Sequence, residues 1–387
     1  MMTDKQRSRA RSTRRRRPTS VAGLDWREVR PSVIGWETTL ACNMRCRHCG
    51  STAGKARPHE LDRVQAQNVC EQLIGMGTRR VVMTGGETLM RKDWRRIVDR
   101  LMTAGLEVGV LSNGWNLKGR MLRELKQYAG PQFSLALSID GTPQVHDEIR
   151  QRPGSFNRAW HAAKDLLAHA VWVDLITTIN PANLHSLDAL RDLVLDDLKP
   201  MAWQVQVTTP FGRARTAHDM TLSQLEYVQA ACFVAKTRRL AKRTATSVHT
   251  GDCLGYLSRL EPGLRAQPWS GCGAGTAAFG IRSNGDVIGC LSIIDDRYIE
   301  GNALTDGLKA IWERPGAFAY TRRFSEKRLR GACATCVEAL QCRGGCTASS
   351  VAVFGHPHQA PYCLLQIDQV CTKRSGGRGA RRKVTTA

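Results

Sequence analysis

Strand-forming runs recur six times between residues 33 and 207, most of them followed by a longer stretch with apolar residues at helical spacing, and this alternation constrains the chain more than any other feature. Strands are predicted at Val33–Glu37, Arg80–Thr84, Glu107–Leu111, Phe133–Leu137, Val171–Ile176 and Ala202–Val207. Helices are predicted over 61–76, 94–104, 157–169, 187–195 and 222–240. Such alternation requires parallel strands with helices packed outside them. Six units suit an α/β fold of the open kind, a partial (β/α)6 TIM-like barrel, better than a closed eight-unit one. In these folds the loops after the strands carry the chemistry. Here those loops hold Cys42, Gly85, Asn113, Ser138 and Asn180.

From about residue 250 the alternation stops, and Cys and Gly become dense. Ile281–Ile288 reads as a β-hairpin turning at Asn284-Gly285. The expected organisation is a basic, disordered tail over 1–30, the barrel over 31–245, a small Cys-rich domain over 246–371 and a second basic tail over 372–387. The net charge of +23 is concentrated in the two tails, with +7 in residues 1–17 and +6 in residues 373–387. Runs of this kind are usually solvated. They could also attract an acidic partner, but no recognition motif or aromatic interleaving accompanies them, so nucleic acid is not the expected partner. No apolar run is long enough to span a membrane, and the first residues lack the apolar segment of an export signal. A cytoplasmic protein is therefore expected.

Fourteen cysteines in a chain of 387 residues call for an explanation, and in a reducing compartment clustered cysteines more often hold metal than form disulfides. Cys42, Cys46 and Cys49 have Cys-x3-Cys-x2-Cys spacing immediately after the first strand. Three thiolates so close can occupy three corners of a cubane four-iron cluster, which leaves one iron open to a ligand. Zinc is the alternative, although zinc sites favour four ligands in Cys-x2-Cys halves. The triplet resembles the motif of the radical S-adenosylmethionine (SAM) superfamily, with His48 at the ring position that packs beside adenine. Thr84-Gly85-Gly86-Glu87 resembles that family's Gly-Gly-Glu segment, with Thr88 where Pro is usual. Ser112-Asn113-Gly114 and Ser138-Ile139-Asp140-Gly141 match its later strand ends, with Arg150 following. The resemblance implies that SAM chelates the open iron and is cleaved reductively to a 5′-deoxyadenosyl radical, which removes a hydrogen from the substrate. It further implies SAM contacts from His48, Gly85, Gly86, Glu87, Asn113, Ser138 and Arg150.

A second set of cysteines follows: Cys272, Cys290, Cys333, Cys336, Cys342, Cys346 and Cys363. Their intervals resemble the SPASM extension of radical SAM enzymes, cysteine by cysteine. That extension implies two auxiliary four-iron clusters, making three [4Fe-4S] clusters in all. Cys272, Cys290 and Cys346 would serve one, and Cys333, Cys336, Cys342 and Cys363 the other. The first then lacks a fourth ligand, and Cys253 is the best placed of the remaining cysteines; an open iron is the alternative. Cys70 and Cys232 fall in predicted helices and are expected to be buried small residues.

Members with this extension mostly modify peptides or proteins, so the expected substrate is a ribosomally made precursor peptide, with a crosslink, thioether or other C–H modification as product. Leu291 follows Cys290 where sulfatase-maturing relatives carry an Asp base, which disfavours that activity. A porphyrin, aminoglycoside or cofactor precursor is the alternative substrate, and a basic, zinc-stabilised nucleic-acid-binding protein is the rival of another class. Since about 30 residues precede the first strand, a separate leader-binding protein is an expected partner, as is an electron donor such as flavodoxin or ferredoxin. No catalytic acid or base can be assigned from the sequence.

Overall fold

The fold, obtained as a computed structural model, is described for residues 24–367. The basic runs at 1–17 and 373–387, and Cys371, lie outside these residues. The framework is one 10-stranded sheet in the order β10-β9-β8-β1-β2-β3-β4-β5-β6-β7. The strands are β1 Val33–Thr39, β2 Arg80–Gly85, β3 Glu107–Ser112, β4 Gly130–Ser138, β5 Val171–Ile179, β6 Ala202–Val207, β7 Ser247–Thr250, β8 Ala278–Ile281, β9 Asp286–Ile288 and β10 Ile299–Asn302. From β1 to β7 each strand runs parallel to its neighbour, and the sheet ends at β7 without closing. This is the open parallel architecture that the alternation predicts.

The strands form where they do because one face must meet the helices. Along β5 burial alternates residue by residue, with Val171, Val173, Leu175, Thr177 and Ile179 buried and the residues between them half-exposed on the opposite face. Helix starts are set by capping chemistry rather than by the apolar stripe. The first long helix spans Arg63–Gly75, two residues inside the predicted start, because Asp62 and Gln65 form a capping box. Ser223 and Glu226 do the same for Gln224–Ala241. Two short helices, Gly119–Leu125 and Pro143–Arg150, were not predicted, since two turns are too few to show a period.

The Cys-rich region is built onto the same sheet. β7 pairs with β6, and β8 pairs in parallel with β1, so strands from both sides of the boundary expected at residue 245 share one hydrogen-bonded network. β8 and β9 form the predicted hairpin, with Gly285 at φ +91 in its turn. At this junction the buried Glu37 of β1 accepts from Ser283 N and Oγ at 3.1 and 2.8 Å and from Arg57 Nη2 at 2.9 Å. Residues 24–30, expected in the tail, are also tied to this region. Trp26 packs edge-on against Trp312 with ring centroids 5.9 Å apart, and the Arg322 guanidinium lies 3.8 Å from the Trp26 ring.

Candidate functional site

The loop after β1 carries Cys42, Cys46 and Cys49, and its backbone is held from several sides. Cys42 N donates to Gly54 O at 3.0 Å, and Gly54 N to Leu40 O at 3.1 Å. Glu60 accepts from Leu40 N at 2.6 Å and from Thr39 Oγ1 at 2.8 Å. Arg47 N donates to Ile149 O at 2.9 Å. Arg213, just after β6, donates from Nε to Cys46 O and from Nη1 to Ala53 O, each at 2.8 Å, while its own N–H bonds Cys49 O at 3.0 Å. A three-cysteine loop is thus clamped between β1 and the far end of the sheet.

Gly85 and Gly86 are required by this same loop. A Cβ at Gly86 would lie 2.2 Å from Ala41 O and 2.5 Å from Leu40 O, and one at Gly85 would lie 2.1 Å from Thr39 O. Gly86 N and Glu87 N donate to Thr39 O and Ala41 O, both at 2.8 Å. The Gly-Gly pair therefore lets the β2 loop touch the cysteine loop backbone to backbone. Glu87 is fully buried and turned into the protein, accepting from Ser112 Oγ at 2.8 Å, Asn113 N at 2.7 Å and Leu89 N at 3.3 Å. Burial raises its carboxyl pKa, and these hydrogen bonds work against the rise. Asn113 then reaches back, with Nδ2 2.8 Å from Asn43 Oδ1 and 3.8 Å from Cys42 Sγ.

On the other side of the loop stands a buried polar group. Asp140 is fully buried and receives Arg150 Nε at 2.8 Å and Nη2 at 2.7 Å, Thr178 N at 2.9 Å, and His48 Nε2 at 3.3 Å. Burial opposes its ionisation, yet Arg150 and the two histidines hold its pKa at about 2. Asp140 N donates to His146 Nδ1 at 3.1 Å. Burial lowers the pKa of His48 to about 4 and of His146 to about 3, so both rings are neutral. His48 Nδ1 is buried without a partner. Arg150 Nη1 lies 4.0 Å from Cys46 Sγ, which places the guanidinium between the carboxylate and the thiol. Ser138 is half-exposed at the end of β4.

The seven cysteines of the second set, with Cys253, fall into two neighbourhoods. Burial, then Cys272, Cys253 and Cys290, push the Cys346 thiol well above its ordinary value. Burial, then Cys363, Cys333 and Cys336, push Cys342 up to about 12. Cys253 Sγ donates to Val207 O at 3.8 Å, at the carboxyl end of β6. Two aromatic pairs join the neighbourhoods. Tyr256 Oη accepts from Cys346 N at 3.2 Å, and its ring lies 4.9 Å from Trp269, whose Nε1 donates to Cys342 O at 3.1 Å. Tyr227 Oη donates to Cys253 O at 3.0 Å and its ring stacks 5.2 Å from Tyr362, next to Cys363 in the chain.

These surroundings suit thiolate ligands of iron. Buried thiols with raised pKa values ionise when a metal supplies the compensating charge, and side-chain N–H groups already point at Cys42 and Cys46. Among the described residues no three His, Cys, Asp or Glu converge on one point as ligands of a single ion would. Leu291 is packed into the sheet, its Cγ 2.8 Å from where a Gly280 Cβ would sit and its Cδ1 3.2 Å from that of Gly35. Cys70 is buried as expected, but Cys232 is exposed. The buried stripe of its helix runs through Tyr227, Ala230, Ala231 and Val234, and position 232 falls off it. Sequence reasoning also missed Arg213 and Asp140. The latter stood inside a quoted motif; the former carries no local signal, because its partners lie more than 150 residues away.

The sequence pattern of the Radical SAM superfamily matches residues 36–194, and that of the SPASM iron–sulfur cluster-binding domain matches residues 272–337. The mycofactocin maturase MftC of Mycobacterium ulcerans is 31% identical over 325 residues, covering 82% of this chain and 84% of that protein. The AdoMet-dependent heme synthase of Methanosarcina barkeri is 26% identical over 347 residues, covering 87% of this chain and 97% of that protein. Among solved structures, Streptococcus suis SuiB bound to S-adenosylmethionine has a similar fold, at TM-score 0.66 and 16% identity over 87% of this chain and 77% of that one. SuiB bound to its precursor peptide SuiA superposes at the same TM-score, over 87% and 76%.

Proposed function

The chain belongs to the radical SAM superfamily and carries a SPASM iron–sulfur domain, and from that premise we propose that it modifies a ribosomally made precursor peptide at a C–H bond. The observation that carries this reading is that the first cysteine set and Cys253 both lie at the carboxyl edge of the parallel strands. Cys42, Cys46 and Cys49 follow β1, and Cys253 stands at the end of β6 beside Val207. A substrate between them would meet half-exposed polar residues near the ends of β4, β5 and β6, namely Ser138, Thr178 and Gln206, whose Nε2 donates to Thr178 Oγ1 at 3.1 Å. These polar, uncharged groups match a peptide backbone.

In this reading Cys42, Cys46 and Cys49 hold the catalytic cluster. Cys272, Cys290, Cys346 and Cys253 hold one auxiliary cluster, and Cys333, Cys336, Cys342 and Cys363 the other. A cluster held by Cys42, Cys46 and Cys49 would supply the electron for reductive cleavage of bound SAM. The protein's own part is positioning. Gly85 and Gly86 bring the β2 loop against the cysteine loop, and Glu87 locks that loop to Asn113. Asp140 orients His48, whose Nδ1 is left as a hydrogen-bond acceptor beside the cysteines. Arg150 places positive charge beside Cys46 and so favours its thiolate. Ser138 stands within the same group of strand ends. A separate leader-binding protein and a flavodoxin or ferredoxin complete the proposed system.

The similarity to heme synthase supports a second reading, in which the substrate is a porphyrin precursor. One experiment separates the two. Anaerobic protein, SAM and reductant are incubated with a short peptide encoded beside the gene or with a porphyrin precursor. The peptide reading expects 5′-deoxyadenosine together with a peptide lighter by two hydrogens or carrying a new bond. Turnover of the porphyrin alone would replace it. Iron content of about 12 per chain is expected for three four-iron clusters, and a colourless zinc protein would refute the assignment of the cysteines.

A further inference from the structure

The stretch from Arg323 to Cys342 folds into short turns, carries Cys333, Cys336 and Cys342, and has an unusual outer surface. Val337 is 86% exposed and Leu340 65% exposed, both inside the run that links Cys336 to Cys342. Arg323, Lys327, Arg328 and Arg330 are exposed on the approach to Cys333. Among the described residues none of these four takes part in a salt bridge. Arg323 Nη2 and Arg328 Nη1 donate only to the carbonyls of Pro315 and Ala319, at 2.7 and 3.0 Å. Glu326 and Glu338 are the acids of the stretch, so positive charge is in excess.

We infer that this surface is the docking face for a small acidic electron-transfer protein, an inference that rests on the reading of Cys333, Cys336, Cys342 and Cys363 as cluster ligands. Three observations point to that occupant. Uncompensated cations steer an acidic partner to the face and speed the encounter. Two exposed apolar side chains give a small dry contact, as suits a brief encounter rather than a permanent complex. The thiols lie directly within the same run of chain, with Cys336 itself half-buried, so a partner seated on Val337 and Leu340 is brought close to them. The Cys253 neighbourhood, by contrast, borders the sheet end proposed for the peptide. In the transfer one electron leaves the partner's reduced flavin, which becomes a semiquinone, and enters the cluster on these cysteines. No bond is made or broken.

The test uses the full-length, iron-loaded enzyme and a reduced acidic flavodoxin in stopped flow. The combined variant Lys327→Glu, Arg328→Glu, Arg330→Glu is expected to lower the second-order rate of cluster reduction by about tenfold or more and to abolish its fall with added salt. Reduction by dithionite and the iron content are expected to stay at wild-type values. The variant Val337→Ser, Leu340→Ser leaves the charges in place and is expected to slow the same step while keeping its salt dependence; it decides the matter should the charge reversal lose iron. An unchanged flavodoxin rate in both variants overturns the docking face. A raised KM for peptide with an unchanged flavodoxin rate also overturns it, by assigning the surface to substrate. Wild-type protein with no iron on these four cysteines overturns the underlying reading, and the docking face with it.

Discussion

Tyr256 and Trp269 stand with ring centroids 4.9 Å apart, and their polar atoms bond the backbones of cysteines from different neighbourhoods, Cys346 on one side and Cys342 on the other. Neither ring can shift without pulling on a cysteine. Gly345 belongs to the same contact, since a Cβ there would lie 2.9 Å from the Tyr256 ring. Tyr256→Phe keeps the ring but removes both the acceptor for Cys346 N and the donor to Asp252 O. A stability loss of about 1–2 kcal/mol is expected, because a buried N–H loses its partner. Anaerobic denaturant unfolding measures it, and an unchanged midpoint would show that the hydroxyl contributes nothing.

Gly86→Ala tests the backbone contact between the β2 loop and the cysteine loop. The new methyl would meet two carbonyl oxygens, neither of which can rotate away. Destabilisation of about 3 kcal/mol is expected, with loss of the iron that Cys42, Cys46 and Cys49 are proposed to hold. Gly75→Ala is the control. It lies in the helix Arg63–Gly75 with open space around it, and is expected to be neutral or to stabilise by about 0.5 kcal/mol.

Arg213 holds the cysteine loop from a point remote in sequence. Arg213→Ala removes two charge-assisted hydrogen bonds and is expected to cost about 2–3 kcal/mol. The spectrum of the cluster proposed for Cys42, Cys46 and Cys49 should change with it, while the iron proposed for the later cysteines remains. Lys at this position can reach only one of the two carbonyls and should restore part of the stability. Wild-type spectra for both variants would remove Arg213 from the site.

His146 makes stability depend on pH. Its ring is buried and its pKa is lowered to about 3, chiefly by burial. The unfolded chain takes up this proton near pH 6.5, whereas the folded chain does so only near 3. Stability from this group is therefore complete above about pH 6.5 and falls as pH drops, by about 1.4 kcal/mol per unit. Urea midpoints at pH 7, 6 and 5 should fall less steeply for His146→Gln, whose amide oxygen can still accept from Asp140 N. Parallel curves would contradict the assignment.

Cys253→Ala asks whether that thiol completes the Cys272, Cys290 and Cys346 set. Iron content should fall, and the spectrum of one auxiliary cluster should change. Full iron with unaltered spectra would leave that cluster with an open iron.

Much of this protein can be read along the chain. Strand–helix alternation specifies an open parallel sheet, because period-2 and period-3.6 patterns each have a single way to bury their apolar side. Cysteine spacing singles out Cys42, Cys46 and Cys49 and the later set as candidate ligands, since ligands of one cluster that lie close in sequence must keep their intervals. Even the hairpin at Asn284-Gly285 is visible, because its turn needs a residue at positive φ. What the chain alone does not reveal is which distant backbones meet. That the Gly85-Gly86 pair serves Thr39 and Ala41, that Arg213 reaches Cys46, that Leu291 fills the gap over Gly35 and Gly280, and that β8 extends the sheet at β1 depend on contacts across tens to hundreds of residues. Such contacts leave no periodic trace; they are settled by close packing and by the need of every buried N–H and C=O for a partner.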